Sequence, residues 1–205
     1  MSVAALLAAA CVSLSAPQGS TQLVTVQAPP GSTTAALSLW TRRGSCWQRV
    51  AGPWTARLGR SGLLSAKREG DGATPTGTFR FGATVYGIAP DPGVALRYHR
   101  LVCGDWWDED VHSPTYNTFR HVVCGARPSF GGDSEALWRI APQYDYFAVI
   151  EYNARPVVPG RGSAIFLHVA VGSTAGCVSL PEARLVRLLR WLRPAAHPGI
   201  SISLR

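Results

Sequence analysis

Apolar and polar residues alternate in short runs over much of the chain. Ala36–Trp40, Cys46–Val50, Trp54–Leu58 and Gly77–Phe81 are each of strand length and bounded by Gly or Pro, which predicts an antiparallel sheet system. Before them, residues 17–34 are polar and contain Pro29-Pro30-Gly31, so they read as a linker or the approach to a first strand. The folded domain is therefore expected over 35–205. Alternation is lost between Asp91 and Asp133, where Trp106, Trp107, Tyr116 and several prolines predict long structured loops of the kind that carry function. Tyr146–Tyr152 and Ala164–Ala170 are apolar runs suited to core strands, with His168 near the end of the second. One helix is predicted from Pro181 to Arg193, with Leu185, Leu188, Leu189 and Leu192 on one face and Pro194 as its stop. Ile200–Leu204 closes the chain as a short strand. The expected fold class is mainly β with one or few helices, two sheets packed with an interposed or flanking helix.

Composition narrows this picture. The 205 residues fit one domain, and 21 Gly with 15 Pro argue against a helical bundle. A hydrophobic fraction of 46% with 16% charged residues argues against disorder and coiled coil. The net charge of +8 comes almost entirely from arginine, since Lys67 is the only lysine. Such a charge suits a polyanion, either nucleic acid or an anionic cell envelope. No run of five basic residues occurs, so no nucleic-acid partner is expected.

Residues 1–16, MSVAALLAAACVSLSA, form an apolar stretch of signal-peptide length with Ser13 and Ser15 in small-x-small spacing, which predicts export. No Lys or Arg precedes it. Cys11 after three alanines also resembles a lipoprotein acceptor, although Ala8 stands where Leu is usual, so a lipid anchor at Cys11 is an alternative. Export favours paired thiols. Cys103 and Cys124 flank a loop of disulfide size, and the same stretch spells His99-x-x-x-Cys103 and His121-x-x-Cys124, the outline of a zinc site. An exported chain favours the disulfide, so no metal is expected, and Cys46 and Cys177 would have separate fates.

The sharpest chemical feature is His168 at a strand end followed by Gly172-Ser173-Thr174-Ala175-Gly176-Cys177. A thiol becomes a strong nucleophile as thiolate, and a neighbouring imidazole can accept its proton. The Gly-containing turn would let the backbone N–H groups of Gly176 and Cys177 face a developing oxyanion. Spacing alone equally allows Cys177 to pair with Cys46 and His168 to be a hydrogen-bonded core histidine. Asp105, Asp108, Glu109 and Asp110 read as a solvated acidic loop, with binding of a cation or a substrate amine as the alternative. Tyr116, Asn117 and Tyr144 are candidates to line a groove, or to plug the core. Asp71 and Thr74 are explained by turn-making.

Two motifs in order carry a resemblance. Residues 67–79, KREGDGATPTGTF, resemble a Gly-Asp-x-x-Thr-Pro-x-Gly-x-Phe signature, and His168 through Thr174-Ala175-Gly176-Cys177 resembles a His followed by Ser/Thr-x-Gly-Cys. Both belong to the L,D-transpeptidase (YkuD-like) catalytic domain family, and the likeness covers roughly 58–193, being nearest to secreted actinobacterial members. The resemblance implies a β-sandwich-type catalytic domain and an exported cysteine acyltransferase that cross-links peptidoglycan stem peptides without a cofactor. It implies Cys177 as nucleophile and His168 as base, oriented by the Val169 carbonyl, with N–H groups around Ala175, Gly176 and Cys177 holding the oxyanion. Thr174, Tyr116, Asn117 and Tyr144 would contact the stem peptide. Ala175 stands where many members carry a second histidine, and only eight residues separate His168 from Cys177. Alternatives are L,D-carboxypeptidase hydrolysis at the same site and a non-catalytic wall-binding module. The expected partners are stem peptides and the anionic envelope, and the expected state is a monomer.

Overall fold

The computed structural model describes residues 11–170 and 172–205. The first ten residues of the expected leader lie outside them. Strand β1 (Gln22–Ala28) pairs antiparallel with β2 (Thr34–Arg43), which forms a hairpin with β3 (Cys46–Arg57). The short strands β4 (Leu63–Leu64) and β5 (Thr74–Pro75) pair in parallel as a separate ribbon carrying the first motif. The long β6 (Gly77–Gly87) and β7 (Arg97–Arg100) follow, again parallel. Next come β8 (Asp105–Asp108), β9 (Thr118–His121) and β10 (Glu135–Ala136), a small antiparallel sheet in the order β10-β8-β9. The chain ends with β11 (Phe147–Ile150), β12 (Phe166–Val169), β13 (Val178–Leu180), helix α1 (Glu182–Trp191) and β14 (Gly199–Leu204).

The main sheet has nine strands in the order β11-β12-β13-β3-β2-β1-β14-β6-β7, and β11 also pairs with β6. The N–H of Phe81 in β6 points to Pro198 ahead of β14, whereas the adjacent Arg80 carbonyl receives Glu151 N–H from the β11 side. Consecutive residues of a strand direct their backbone groups to opposite edges. Strands β14 and β11 therefore flank β6 on its two sides, and eight strands close into a ring. The expected sheets are joined into one, with parallel pairs at β1–β14, β6–β7 and β12–β13 beside the antiparallel ones.

Main-core side chains come from nearly every strand, including Val24, Leu37, Leu167 and Ile202, and α1 seals them with Leu185, Leu188 and Leu189, joined by Leu192 just past its end, all fully buried. Burial of one such leucine stabilises by roughly 1.5–3 kcal/mol. The helix thus lies within the predicted bounds and buries the predicted face.

The expected linker over 17–34 is corrected: it contains β1, a central strand buried on both faces. Its polar residues conceal this because the buried ones find distant partners. The Gln22 amide donates to Trp191 O at 2.8 Å and accepts Arg193 N–H at 2.7 Å, and Thr25 Oγ1 accepts Trp40 Nε1–H at 2.9 Å. Upstream, Val12 bridges to Trp47 and Cys11 forms a disulfide with Cys46. Cys11 is therefore part of the folded unit. Cleavage after Ala16 would remove it, and a lipid anchor would need the thiol that Cys46 holds.

Candidate active site

Alternation along β12 and β13 sorts their side chains. Leu167, Val169, Val178 and Leu180 enter the main core, while Phe166, His168 and Cys177 face the other way. The two strands are parallel, with His168 opposite Ser179 and Leu167 opposite Val178, so the chain brings Cys177 alongside Phe166. That second face is covered by the segment 101–144, whose Leu101, Trp107, Leu137 and Tyr144 pack with Phe147, Phe166 and Cys177. A cavity of about 710 Å³ remains between them, lined by both Cys177 and His168.

Cys177 is the one free cysteine among the described residues. Its pairing with Cys46 is thereby excluded. Its Sγ accepts Phe166 N–H at 3.3 Å and donates to Ala164 O at 3.1 Å. Burial pushes the thiol far above its ordinary range; the Phe166 N–H opposes this, and the charges of Glu135 and Glu109 add to it. His168 Nδ1 lies 3.0 Å from Val169 O. A carbonyl can only accept, so Nδ1 carries the proton and Nε2 the lone pair. Burial holds the His168 pKa below its ordinary value, against the smaller opposite effect of the Val169 hydrogen bond. Thiol and imidazole therefore rest as a neutral pair. Among the described residues no hydrogen bond joins His168 to the sulfur.

The turn before Cys177 is held from two directions. Thr174 Oγ1 donates to Cys177 O at 2.7 Å and accepts Gly176 N–H at 3.1 Å. Thr74 Oγ1, fully buried, donates to the same carbonyl at 3.2 Å and accepts Gly59 N–H at 2.8 Å. The two motifs, 103 residues apart, thus meet at one oxygen. Reading Thr74 as turn chemistry missed this, and no local signal carries it. Gly176 is required because a Cβ there would stand 3.0 Å from Ala73 O. Its N–H, expected to be free for an oxyanion, is already engaged by Thr174. Thr174 is a positioning residue for the turn and also lines the cavity.

Tyr144 stacks edge-to-face on His168 with ring centroids 5.8 Å apart, and its hydroxyl donates to Glu135. Tyr116 and Asn117 do not line this cavity. The Tyr116 hydroxyl is spent on Glu69, which does. Asn117 is a structural clamp: its Oδ1 accepts Trp107 Nε1–H at 3.0 Å and Ala164 N–H at 3.1 Å, fixing the residue whose carbonyl receives the thiol proton. Sequence reasoning overlooked Lys67, Glu69 and Glu135 as cavity residues, and of the four acidic candidates at 105–110 only Glu109 lines the cavity. Burial and the charges of Glu135 and Glu69 push Glu109 up to about 9, although Ser163 hydrogen-bonds to it. Burial likewise raises Glu135, against its bond from Tyr144.

The expected solvated acidic loop is also corrected. Asp105 and Asp108 are fully buried. Asp105 bridges His99 Nε2 at 2.8 Å and His121 Nδ1 at 2.6 Å, and Asp108 accepts hydrogen bonds from Ser113 and Thr115. Beside them Cys103 and Cys124 form the expected disulfide, so their thiols are not available to a metal.

The family pattern of the L,D-transpeptidase catalytic domain (YkuD) matches residues 32–199. The chain belongs to this family. No curated protein matches the chain. Among solved structures, this YkuD chain is similar to the helical cell shape determining protein Pgp2 of Campylobacter jejuni and to its K307A mutant. Each is 11% identical with 90% of this chain covered, at TM-scores of 0.44 and 0.43. The YkuD chain spans about half the length of those structures, 48% of each.

Proposed function

We propose that the protein is an exported L,D-transpeptidase acting on peptidoglycan stem peptides, with Cys177 as nucleophile and His168 as base. The observation that carries this reading is the neutral thiol and the tautomer-fixed imidazole lining one cavity in a chain of the YkuD family. Two disulfides suit a compartment outside the cytoplasm, and the net charge of +8 suits retention on an anionic wall.

In the first half-reaction the Cys177 proton passes to His168 Nε2 as Sγ bonds the carbonyl carbon joining an L-centre to the following D-residue. The Val169 carbonyl stabilises the imidazolium through Nδ1–H. The tetrahedral oxyanion is met by backbone N–H groups of the turn around Ala175 and Cys177, Gly176 N–H being held by Thr174. Collapse breaks the C–N bond, His168 returns its proton to the departing amine, and a thioester remains. An amine of a second stem peptide then attacks, loses its proton through His168 and restores the thiol. Water in place of that amine would give the carboxypeptidase.

Incubation with disaccharide-tetrapeptide tests this directly. Release of the terminal D-amino acid together with a cross-linked dimer is expected, and Cys177→Ala should abolish both. Release without dimer would make the enzyme a carboxypeptidase; neither product from folded protein would leave a wall-binding module.

A further inference from the structure

The only lysine of the chain is also one of its most buried charges. Lys67 is 5% exposed, and lysines are almost never so buried unless paired. Its Nζ donates to Asp71 Oδ1 at 2.8 Å and to Arg68 O at 3.3 Å. Asp71 is itself locked, since Oδ2 takes Arg68 N–H at 2.7 Å and Oδ1 takes Ala73 N–H at 2.9 Å. Two glycines make room for the lysine. A Cβ on Gly162 would lie 2.8 Å from Cε, and one on Gly176, the residue before Cys177, would lie 3.3 Å from Nζ.

The ammonium thus reaches the Cys177 turn and lines the same cavity. Glu69, Glu109 and Glu135 line it as well, with Asp133 and Arg60 beside them and with His168 and Tyr144 by the sulfur. Acidic side chains therefore outnumber basic ones around a thiol that must become negative, and burial pushes Glu109 and Glu135 toward their neutral forms. A buried ion pair built only to close the 67–71 turn would have no reason to place its cation against the nucleophile's neighbour.

We propose that Lys67, held in place by Asp71, is the cation that supports negative charge at Cys177, a positioning and electrostatic residue acting on the nucleophile. This rests on the assignment of Cys177 as nucleophile. Of the charges acting on the thiol, Glu135 and Glu109 oppose ionisation and Lys67 favours it.

The test is the pH profile of Cys177 alkylation by iodoacetamide, read by intact mass in wild type, Lys67→Met and Asp71→Asn, with melting checked for each. Removing the cation should move the Lys67→Met profile to higher pH and slow labelling at pH 8 about tenfold, the equivalent of one pKa unit. Asp71→Asn keeps an amide oxygen that can accept from the Lys67 ammonium while removing a negative charge, so its profile should move to lower pH. A purely structural ion pair would move both variants in the same direction. Equal or same-direction shifts overturn the proposal. If Lys67→Met does not fold, Asp71→Asn decides alone, because an unmoved or higher profile overturns the proposal and a lower one supports it. A folded Cys177→Ala variant that still releases the terminal D-amino acid at the wild-type rate would instead defeat Cys177 as nucleophile.

Discussion

Thr74 shows how much one hydroxyl can do. It donates to the Cys177 carbonyl and accepts the Gly59 N–H in a site with no solvent. Thr74→Val keeps the shape, leaves the buried Gly59 N–H unsatisfied at about 1–3 kcal/mol, and leaves the Cys177 carbonyl to Thr174 alone. A lower melting temperature and at least tenfold slower D-amino acid release are expected, since sub-ångström placement governs attack. His168 makes a pH prediction. It must be neutral to take the thiol proton, and burial holds its pKa below the ordinary 6.5. The acid limb of kcat/KM should therefore fall below about pH 6.5, and a midpoint above that value would contradict the neutral resting pair. The proposed nucleophile and base could be picked out because their residue types are rare and stand in a motif. Thr74, Lys67, Glu69 and Glu135 were not, because their roles arise from contacts across the fold that no local spacing encodes.

At the scale of elements, the predicted helix and the strands flanked by Gly or Pro were readable from periodicity, with α1 matching because its leucines repeat on one face. The small sheet of β8, β9 and β10 was not. Its strands are two to four residues long, and β8 presents aromatic and acidic residues alike to buried surroundings, so alternation has no room to register. This sheet belongs to the segment that roofs the second face and gives Glu135 to the cavity, and the Cys103–Cys124 disulfide closes 21 residues around its β8–β9 hairpin. Cross-linking a loop of that size stabilises by about 3 kcal/mol. Replacing both cysteines by serine should lower the melting temperature by several degrees in circular dichroism and increase proteolysis within 101–124 first; no change in either would show that the roof is held by other contacts.

For the whole molecule, the consequential feature is ring closure through β1. That strand joins β2 to β14, so residues near the start of the described chain hold its last strand in place. Deleting residues up to Ala28 should yield insoluble or unfolded protein, whereas a true linker would be dispensable; a soluble, cooperatively melting truncation would refute the closed arrangement. Closure has a further effect on behaviour at high concentration. Unpaired strand edges invite other chains to add on, and a ring leaves very few. In the main sheet that role falls to β7, four residues that begin with Arg97 and end with Arg100, both exposed. Two like charges on so short an edge repel an incoming copy, so the arginine bias of this chain also guards it against fibrous self-association.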